Sequence, residues 1–139
     1  MDRGEEPEAT QAPSGGGKTV LLVEDDADAR EASAAVLDHL GYRVLTAGSG
    51  EEALAQWEAA RSEIALVLTD LMTPGLGGEE VWRALRARGA DVPIVVLSGY
   101  APPPGRTLPD ARGVAAWLRK PIGIDELGAA LGRALRSPA

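Results

Sequence analysis

The sequence predicts an α/β protein in which short strands alternate with helices around one parallel sheet. Short apolar runs bounded by turn residues recur five times, as expected for strands that are buried on both faces of such a sheet. The segments between most of these runs carry apolar residues at helical spacing. The third run, 64–69, leads directly into Asp70 and then breaks at Pro74-Gly75. A carboxylate at the tip of a buried strand is costly, which indicates that Asp70 has a function.

The first half of the chain predicts two strand–helix pairs. Residues 20–23 form the first strand, and residues 28–40 have helical spacing that ends at a glycine. Residues 42–46 form the second strand. A second helix follows to about residue 61, with Ser49 as its expected N-cap and two glutamates in its first turn, where they suit the helix dipole.

The second half continues the alternation, but one helix is interrupted. Strands are predicted over residues 64–69, 93–97 and 114–118, and helices over 78–88 and 124–136. Between the fourth and fifth strands, in residues 101–112, three consecutive prolines and a fourth at Pro109 cannot lie in a helix interior. A short or irregular fourth helix is therefore expected there.

Five strands with helical connections predict a doubly wound parallel sheet. Right-handed crossovers leave few topologies, and for this number of strands the expected one is flavodoxin-like, with strand order 2-1-3-4-5. In that order a crevice opens where strands one and three meet. Glu24 and Asp25 follow strand one and Asp70 follows strand three, so three carboxylates are predicted to converge at the fold's ligand site.

Composition predicts one domain over residues 18–136, preceded by a disordered tail over residues 1–17. The chain has 139 residues, of which 45% are hydrophobic and 25% charged, and this is enough for a single core. The tail is rich in Glu, Pro, Gly and Ala and has no large apolar side chain beyond its first Met. It cannot bury enough surface to offset its ordering entropy.

Charge and residue usage exclude several classes of function. A net charge of −7 argues against a nucleic-acid-binding surface. The absence of Cys and the single histidine, His39, exclude disulfides and zinc sites of the usual kind. No apolar run approaches the roughly 18 residues of a membrane span, and the acidic N-terminus does not resemble a secretion signal. A cytoplasmic protein that binds neither nucleic acid nor membrane is expected.

The converging carboxylates predict a cation site that serves phosphoryl chemistry. Two carboxylates about 4 Å apart repel by roughly 4 kcal/mol at an effective dielectric near 20, so three together need a cation or a proton. Oxygen ligands suit Mg²⁺ or Mn²⁺. Ser98 and Lys120, at the ends of strands four and five, add a hydroxyl and a positive charge that can hold a phosphoryl group. Aspartate can be the nucleophile, giving an aspartyl phosphate.

Four segments carry a resemblance to a known family. They are Leu21-Leu22-Val23-Glu24-Asp25-Asp26, Thr69-Asp70-Leu71-Met72-Thr73-Pro74-Gly75, Leu97-Ser98-Gly99-Tyr100 and Lys120-Pro121. In order and spacing, the chain from about residue 18 to 136 resembles the receiver domain of two-component response regulators. The glycines after Pro74 and the Ser98-Gly99-Tyr100 segment resemble receivers attached to hybrid histidine kinases.

The resemblance implies a role for each site residue. Asp70 would accept a phosphoryl group from a histidine kinase or a phosphotransfer protein. Asp25, Asp70 and the backbone carbonyl of Met72 would bind Mg²⁺, and Glu24 would assist through water. Ser98 and Lys120 would contact the phosphoryl oxygens.

The resemblance also implies a conformational switch, and it bears on the lifetime of the phosphoryl group. Trp117 would occupy the aromatic switch position on strand five and turn inward as Ser98 moves toward the phosphoryl group. The bond before Pro121 would be cis, which X-Pro permits at modest cost. Met72 and Tyr100 offer little to orient an attacking water, so slow self-dephosphorylation is expected. The chain would catalyse only its own phosphorylation and dephosphorylation, and so would not be an enzyme acting on other molecules.

Two other classes of function stay open at this point. One is a Mg²⁺-dependent phosphatase or hydrolase with Asp70 as a transient nucleophile, although such enzymes usually carry a second acid where this chain has Met72. The other is a receiver that binds protein without phosphorylation. Within the resemblance, the output is partner binding or relay of the phosphoryl group, and a weak homodimer is a further form of association. The surface around the interrupted fourth helix, which often transmits the signal, departs from the family pattern.

Overall fold

The computed structural model describes residues 16–69, 78–89, 91–98, 114–120 and 122–136. Within these ranges the chain forms five strands and four helices. In chain order they are β1 Thr19–Val23, α1 Ala27–His39, β2 Arg43–Ala47, α2 Gly50–Ala60, β3 Ile64–Thr69, α3 Gly78–Ala87, β4 Ile94–Ser98, β5 Val114–Arg119 and α4 Ile124–Arg136.

All five strands join one parallel sheet in the order β2-β1-β3-β4-β5. This confirms the predicted flavodoxin-like fold and its strand order. Residues 99–113, which include the segment with the interrupted fourth helix, lie outside the described residues, as do residues 1–15 of the predicted tail. The end of that tail is described at Gly17, whose N–H donates to the Gly41 carbonyl at 2.9 Å.

The core lies on both faces of the sheet. Alternate residues of the central strands, such as Leu21 and Val67, pack with Trp57 of α2 and Leu85 of α3. The intervening residues pack on the other face against α1 and α4. That second cluster contains Val20, Leu22, Leu66, Leu68, Leu37 and Leu131. Continuous apolar strands are therefore needed here, because each strand residue faces one helix layer or the other.

The first two helix boundaries follow from local hydrogen bonds. Ser49 caps α2 as predicted, its hydroxyl accepting from the Glu52 N–H at 3.1 Å. Gly41 ends the turn after α1 with φ 94°. Residue 42 was predicted to open the second strand, but the Tyr42 N–H donates to the carbonyl of Leu37 at 3.1 Å and so completes the end of α1. The strand therefore begins at Arg43.

Candidate functional site

The strand register brings to one edge of the sheet the strand ends that carry or precede Glu24, Asp25, Ser98 and Lys120. Val23, the last residue of β1, is paired with Thr69, the last residue of β3. Thr69 is paired with Val96 of β4, two residues before Ser98, and Ser98 is paired with Arg119. The carboxyl ends of β1, β3, β4 and β5 are thus neighbours, as is typical of ligand sites in open α/β sheets.

Ser98 and Lys120 are fixed next to each other by the backbone. The Lys120 N–H donates to the Ser98 carbonyl at 2.7 Å and so extends the β4–β5 ladder by one residue. Ser98 is only 1% exposed, whereas the Lys120 side chain is 38% exposed. A buried hydroxyl and a partly solvated ammonium group therefore share one end of the sheet.

Glu24 is a buried carboxylate that joins this edge from the other side. Glu24 is 3% exposed, and its Oε1 lies 3.6 Å from the Nζ of Lys120. The strands that carry the pair, β1 and β5, are separated by β3 and β4, so their axes lie about 14 Å apart at the usual strand spacing. The ion pair consequently reaches across the carboxyl ends of β3 and β4.

The two aspartates after Glu24 have different environments. Asp26 is the N-cap of α1, and its Oδ2 accepts from the Ala29 N–H at 2.8 Å. Asp25 is exposed, and within the described part of the chain no hydrogen bond or ion pair involves its carboxylate. Asp26 therefore caps α1, whereas the Asp25 carboxylate makes no hydrogen bond or ion pair with the described residues.

Trp117, the predicted switch residue, lies in the middle of β5. It is paired with Val96 and is partly buried. It packs against the core cluster that contains Trp57 and Leu85, on the face covered by α2 and α3. A change in the position of Trp117 would therefore alter its packing against α2 and α3.

The remaining predicted site residues lie outside the described residues. They are Asp70, Met72, Tyr100 and Pro121. Within the described ranges no three His, Cys, Asp or Glu side chains lie close enough together to hold a metal ion. The predicted ligand set does not require such a trio there, because it includes Asp70, the residue after Thr69. The donors that are described, Glu24 and Asp25, are carboxylates, and this donor chemistry fits Mg²⁺ or Mn²⁺.

One residue near the site was missed by sequence reasoning. Arg30 of α1 donates from Nη1 to the backbone carbonyl of Glu24 at 2.9 Å. Its only sequence signal is its position one turn after the Asp26 cap, which is too common to single it out. The contact ties α1 to the acidic loop that follows β1.

Comparison with known proteins gives a consistent result. A family model for the response regulator receiver domain matches residues 20–132. The chain is 37% identical over 117 residues to the tetrathionate response regulatory protein TtrR of Salmonella typhimurium, covering 84% of this chain and 56% of TtrR. It is 36% identical over 113 residues to the sensor kinase CckA of Brucella abortus, covering 81% of this chain and 12% of CckA. The chain therefore spans about half of the first relative and a small part of the second.

Solved structures show the same likeness. The chemotaxis protein CheY4 of Vibrio cholerae has a TM-score of 0.76 and 31% identity, with 85% of this chain and 98% of CheY4 covered. The response regulator TrrA of Thermotoga maritima, solved in complex with Mg²⁺-BeF, has a TM-score of 0.69 and 28% identity, with 84% and 98% covered. None of the helices in the described ranges is both long enough and apolar enough to cross a bilayer. This chain belongs to the response regulator receiver domain family.

Proposed function

We propose that this receiver accepts a phosphoryl group on Asp70 in a Mg²⁺-dependent reaction. The donor is a phosphohistidine of a histidine kinase or of a phosphotransfer protein. The P–N bond of the donor breaks as a P–O bond forms to a carboxylate oxygen of Asp70, and the donor imidazole takes up a proton. The product is an aspartyl phosphate.

The observation that carries this proposal is the ion pair across the strand ends. Lys120 Nζ and Glu24 Oε1, 3.6 Å apart, come from β5 and β1, while β3, which leads into Asp70, lies between them. Thr69, the last residue of β3, therefore ends between the strand that leads to Glu24 and Asp25 and the strands that lead to Ser98 and Lys120. Phosphoryl transfer needs charged groups of both signs at one site. Carboxylates hold the metal ion, and positive charges neutralise the phosphoryl oxygens.

The environments of the described residues support the roles that we propose for them. The Lys120 side chain is partly solvated, and its long stem would let the ammonium group pair with a phosphoryl oxygen in place of Glu24. The Ser98 hydroxyl, held at a buried strand end, can donate to another phosphoryl oxygen. Asp25, with Glu24 through water, would hold Mg²⁺ together with Asp70 and the Met72 carbonyl. The ion would supply charge neutralisation of the phosphoryl oxygens during transfer.

The proposal includes a conformational output. Phosphorylation adds about −1.5 to −2 charges, and movement of Ser98 toward them would free space for Trp117 to turn inward. Such a switch alters partner binding, or else the phosphoryl group is relayed onward. We further propose a cytoplasmic location, a weak homodimer as the form of self-association, and no catalysis on other molecules. We also propose slow self-dephosphorylation, because Met72 and Tyr100 offer little to orient an attacking water.

The test uses a small phosphodonor and intact-mass spectrometry. Incubation with acetyl phosphate and Mg²⁺ is expected to add one phosphoryl group to the wild-type chain and none to Asp70→Asn or in the presence of EDTA. Equal modification of wild type and Asp70→Asn would contradict the proposal. Sustained release of phosphate from p-nitrophenyl phosphate, lost in Asp70→Asn, would instead support the hydrolase. A screen of purified histidine kinases for the fastest transfer would then identify the donor.

A further inference from the structure

We propose that Arg30 is a positioning residue for the cation site: its guanidinium holds the peptide between Glu24 and Asp25 and thereby sets where the Asp25 carboxylate lies. The inference rests on the proposed function, because it assigns one more residue to the same Mg²⁺ site. Arg30 itself touches neither the cation nor the phosphoryl group in this proposal. It acts through the backbone of the acidic loop.

The contact that supports this role is specific. Arg30 Nη1 donates to the Glu24 carbonyl oxygen at 2.9 Å, and that carbonyl belongs to the peptide that leads into Asp25. The Arg30 backbone N–H also donates to the Asp26 carbonyl at 2.8 Å, in the first turn of α1. One residue therefore holds the loop on both sides of Asp25. A hydrogen bond from a charged donor is stronger than a neutral one, which suits it to fixing a loop.

Other hydrogen bonds leave Asp25 as the residue that the loop presents. The Glu24 N–H donates to the Ala47 carbonyl at 2.9 Å, and the Asp26 N–H donates to Glu24 Oε2 at 3.1 Å. The backbone before and after Asp25 is thus tied, while its exposed carboxylate bonds to no other described group. A ligand whose position is set before the metal arrives costs less ordering when the metal binds.

Gly48, in the loop between β2 and α2, provides the space that Arg30 occupies. A Cβ atom at Gly48 would lie 2.9 Å from Arg30 Nη1 and 3.4 Å from Glu52 Oε1. The loop cannot easily withdraw, because the Gly48 N–H donates to Glu52 Oε1 at 2.7 Å. A methyl group there would push the guanidinium away from the Glu24 carbonyl. Gly48→Ala therefore perturbs the same contact without changing any charge.

The sign of the effect separates positioning from simple electrostatics. Arg30 carries a positive charge near a site for a divalent cation, so its charge alone opposes binding. If charge were the only effect, Arg30→Met would bind the cation more tightly and Gly48→Ala would bind it as wild type does. If Arg30 positions Asp25, both variants bind the cation more weakly.

The experiment measures Mn²⁺ binding directly, by the electron paramagnetic resonance signal of the free ion, with Mg²⁺ as competitor. The Kd of Arg30→Met for Mn²⁺ is expected to rise about tenfold, which is the lower end of the effects seen when a residue that orients a metal ligand is replaced. The Kd of Gly48→Ala is expected to rise as well. Two matched controls are expected to bind as wild type does. Arg43→Met removes an exposed arginine at the amino end of β2, and Gly123→Ala adds a methyl group that, apart from its own chain neighbours, meets no atom of the described residues within 4 Å.

The outcomes distinguish this inference from the function on which it rests. If wild type binds Mn²⁺ and Asp25→Asn does not, but Arg30→Met and Gly48→Ala bind as tightly as wild type or more tightly, the role of Arg30 is refuted and the proposed function stands. If wild type does not bind Mn²⁺, or Asp25→Asn binds it equally well, both fail. Circular dichroism checks folding. Should Arg30→Met not fold, Gly48→Ala decides, since its new methyl group meets only the flexible ends of two side chains.

Discussion

The ion pair between Glu24 and Lys120 can be tested by a double-mutant cycle with Glu24→Gln and Lys120→Met. Each substitution keeps the approximate shape of its side chain and removes its charge. The charges are 3.6 Å apart, which corresponds to about 1 kcal/mol in bulk water and about 4.6 kcal/mol at an effective dielectric of 20. Glu24 is buried but Lys120 is 38% exposed, so solvent screens the pair from one side. We expect a coupling free energy of about 1–2 kcal/mol.

The assay is urea denaturation of wild type, both single variants and the double variant in the absence of divalent cations. The coupling is expected to decrease only slightly when salt is added, because one partner is buried beyond the reach of most screening ions. If the slope of the free energy of unfolding against urea concentration is unchanged, the variants alter stability and not the unfolded state. A coupling that cannot be distinguished from zero would refute the ion pair, and with it the observation on which the proposed function depends.

Three further predictions concern pH, lifetime and the switch. A hydrogen bond from Arg61 holds the pKa of Glu58 below its ordinary value of 4.5. The ionised carboxylate therefore stabilises the folded chain fully above pH 4.5, and this stabilisation is lost as the pH falls through the lowered pKa. Glu58→Gln should accordingly lower the melting temperature at neutral pH and leave it unchanged in strong acid. Because the proposal assigns Met72 and Tyr100 little capacity to orient an attacking water, phosphorylated protein should lose its phosphoryl group over hours; loss within seconds in the presence of Mg²⁺, followed by intact mass, would oppose this. Phosphorylation should change tryptophan fluorescence in wild type but not in Trp117→Phe or Asp70→Asn, and an unchanged wild-type spectrum would count against the switch.

Much of the fold could be predicted because its main determinants are local. Strands such as Val20–Val23 and Ile64–Leu68 are apolar at successive positions, and such runs are typical of a sheet covered on both faces. The Ser49 cap is equally local, since donor and acceptor are three residues apart. Tyr42 shows the limit: it was predicted to open a strand, but the carbonyls at the end of α1 needed donors, and Gly41 turned the chain so that Tyr42 could supply one.

The candidate site was predictable in composition but not in its contacts. Glu24, Ser98 and Lys120 follow or end strands, so topology alone places them at one edge of the sheet. That Lys120 reaches Glu24 across two strands depends on side-chain length and direction, which no sequence period encodes. The contact from Arg30 to a carbonyl likewise leaves no pattern, because any residue at position 24 has that carbonyl.

The most direct test of the central claim locates the phosphoryl group. After incubation with acetyl phosphate and Mg²⁺, borohydride reduction converts an aspartyl phosphate to homoserine and leaves free carboxylates unchanged. Peptide mapping by mass spectrometry should then find homoserine at position 70 of the wild-type chain and at no other aspartate, with none after incubation without Mg²⁺. Homoserine at another aspartate, or no conversion in a folded wild-type chain, would contradict the account.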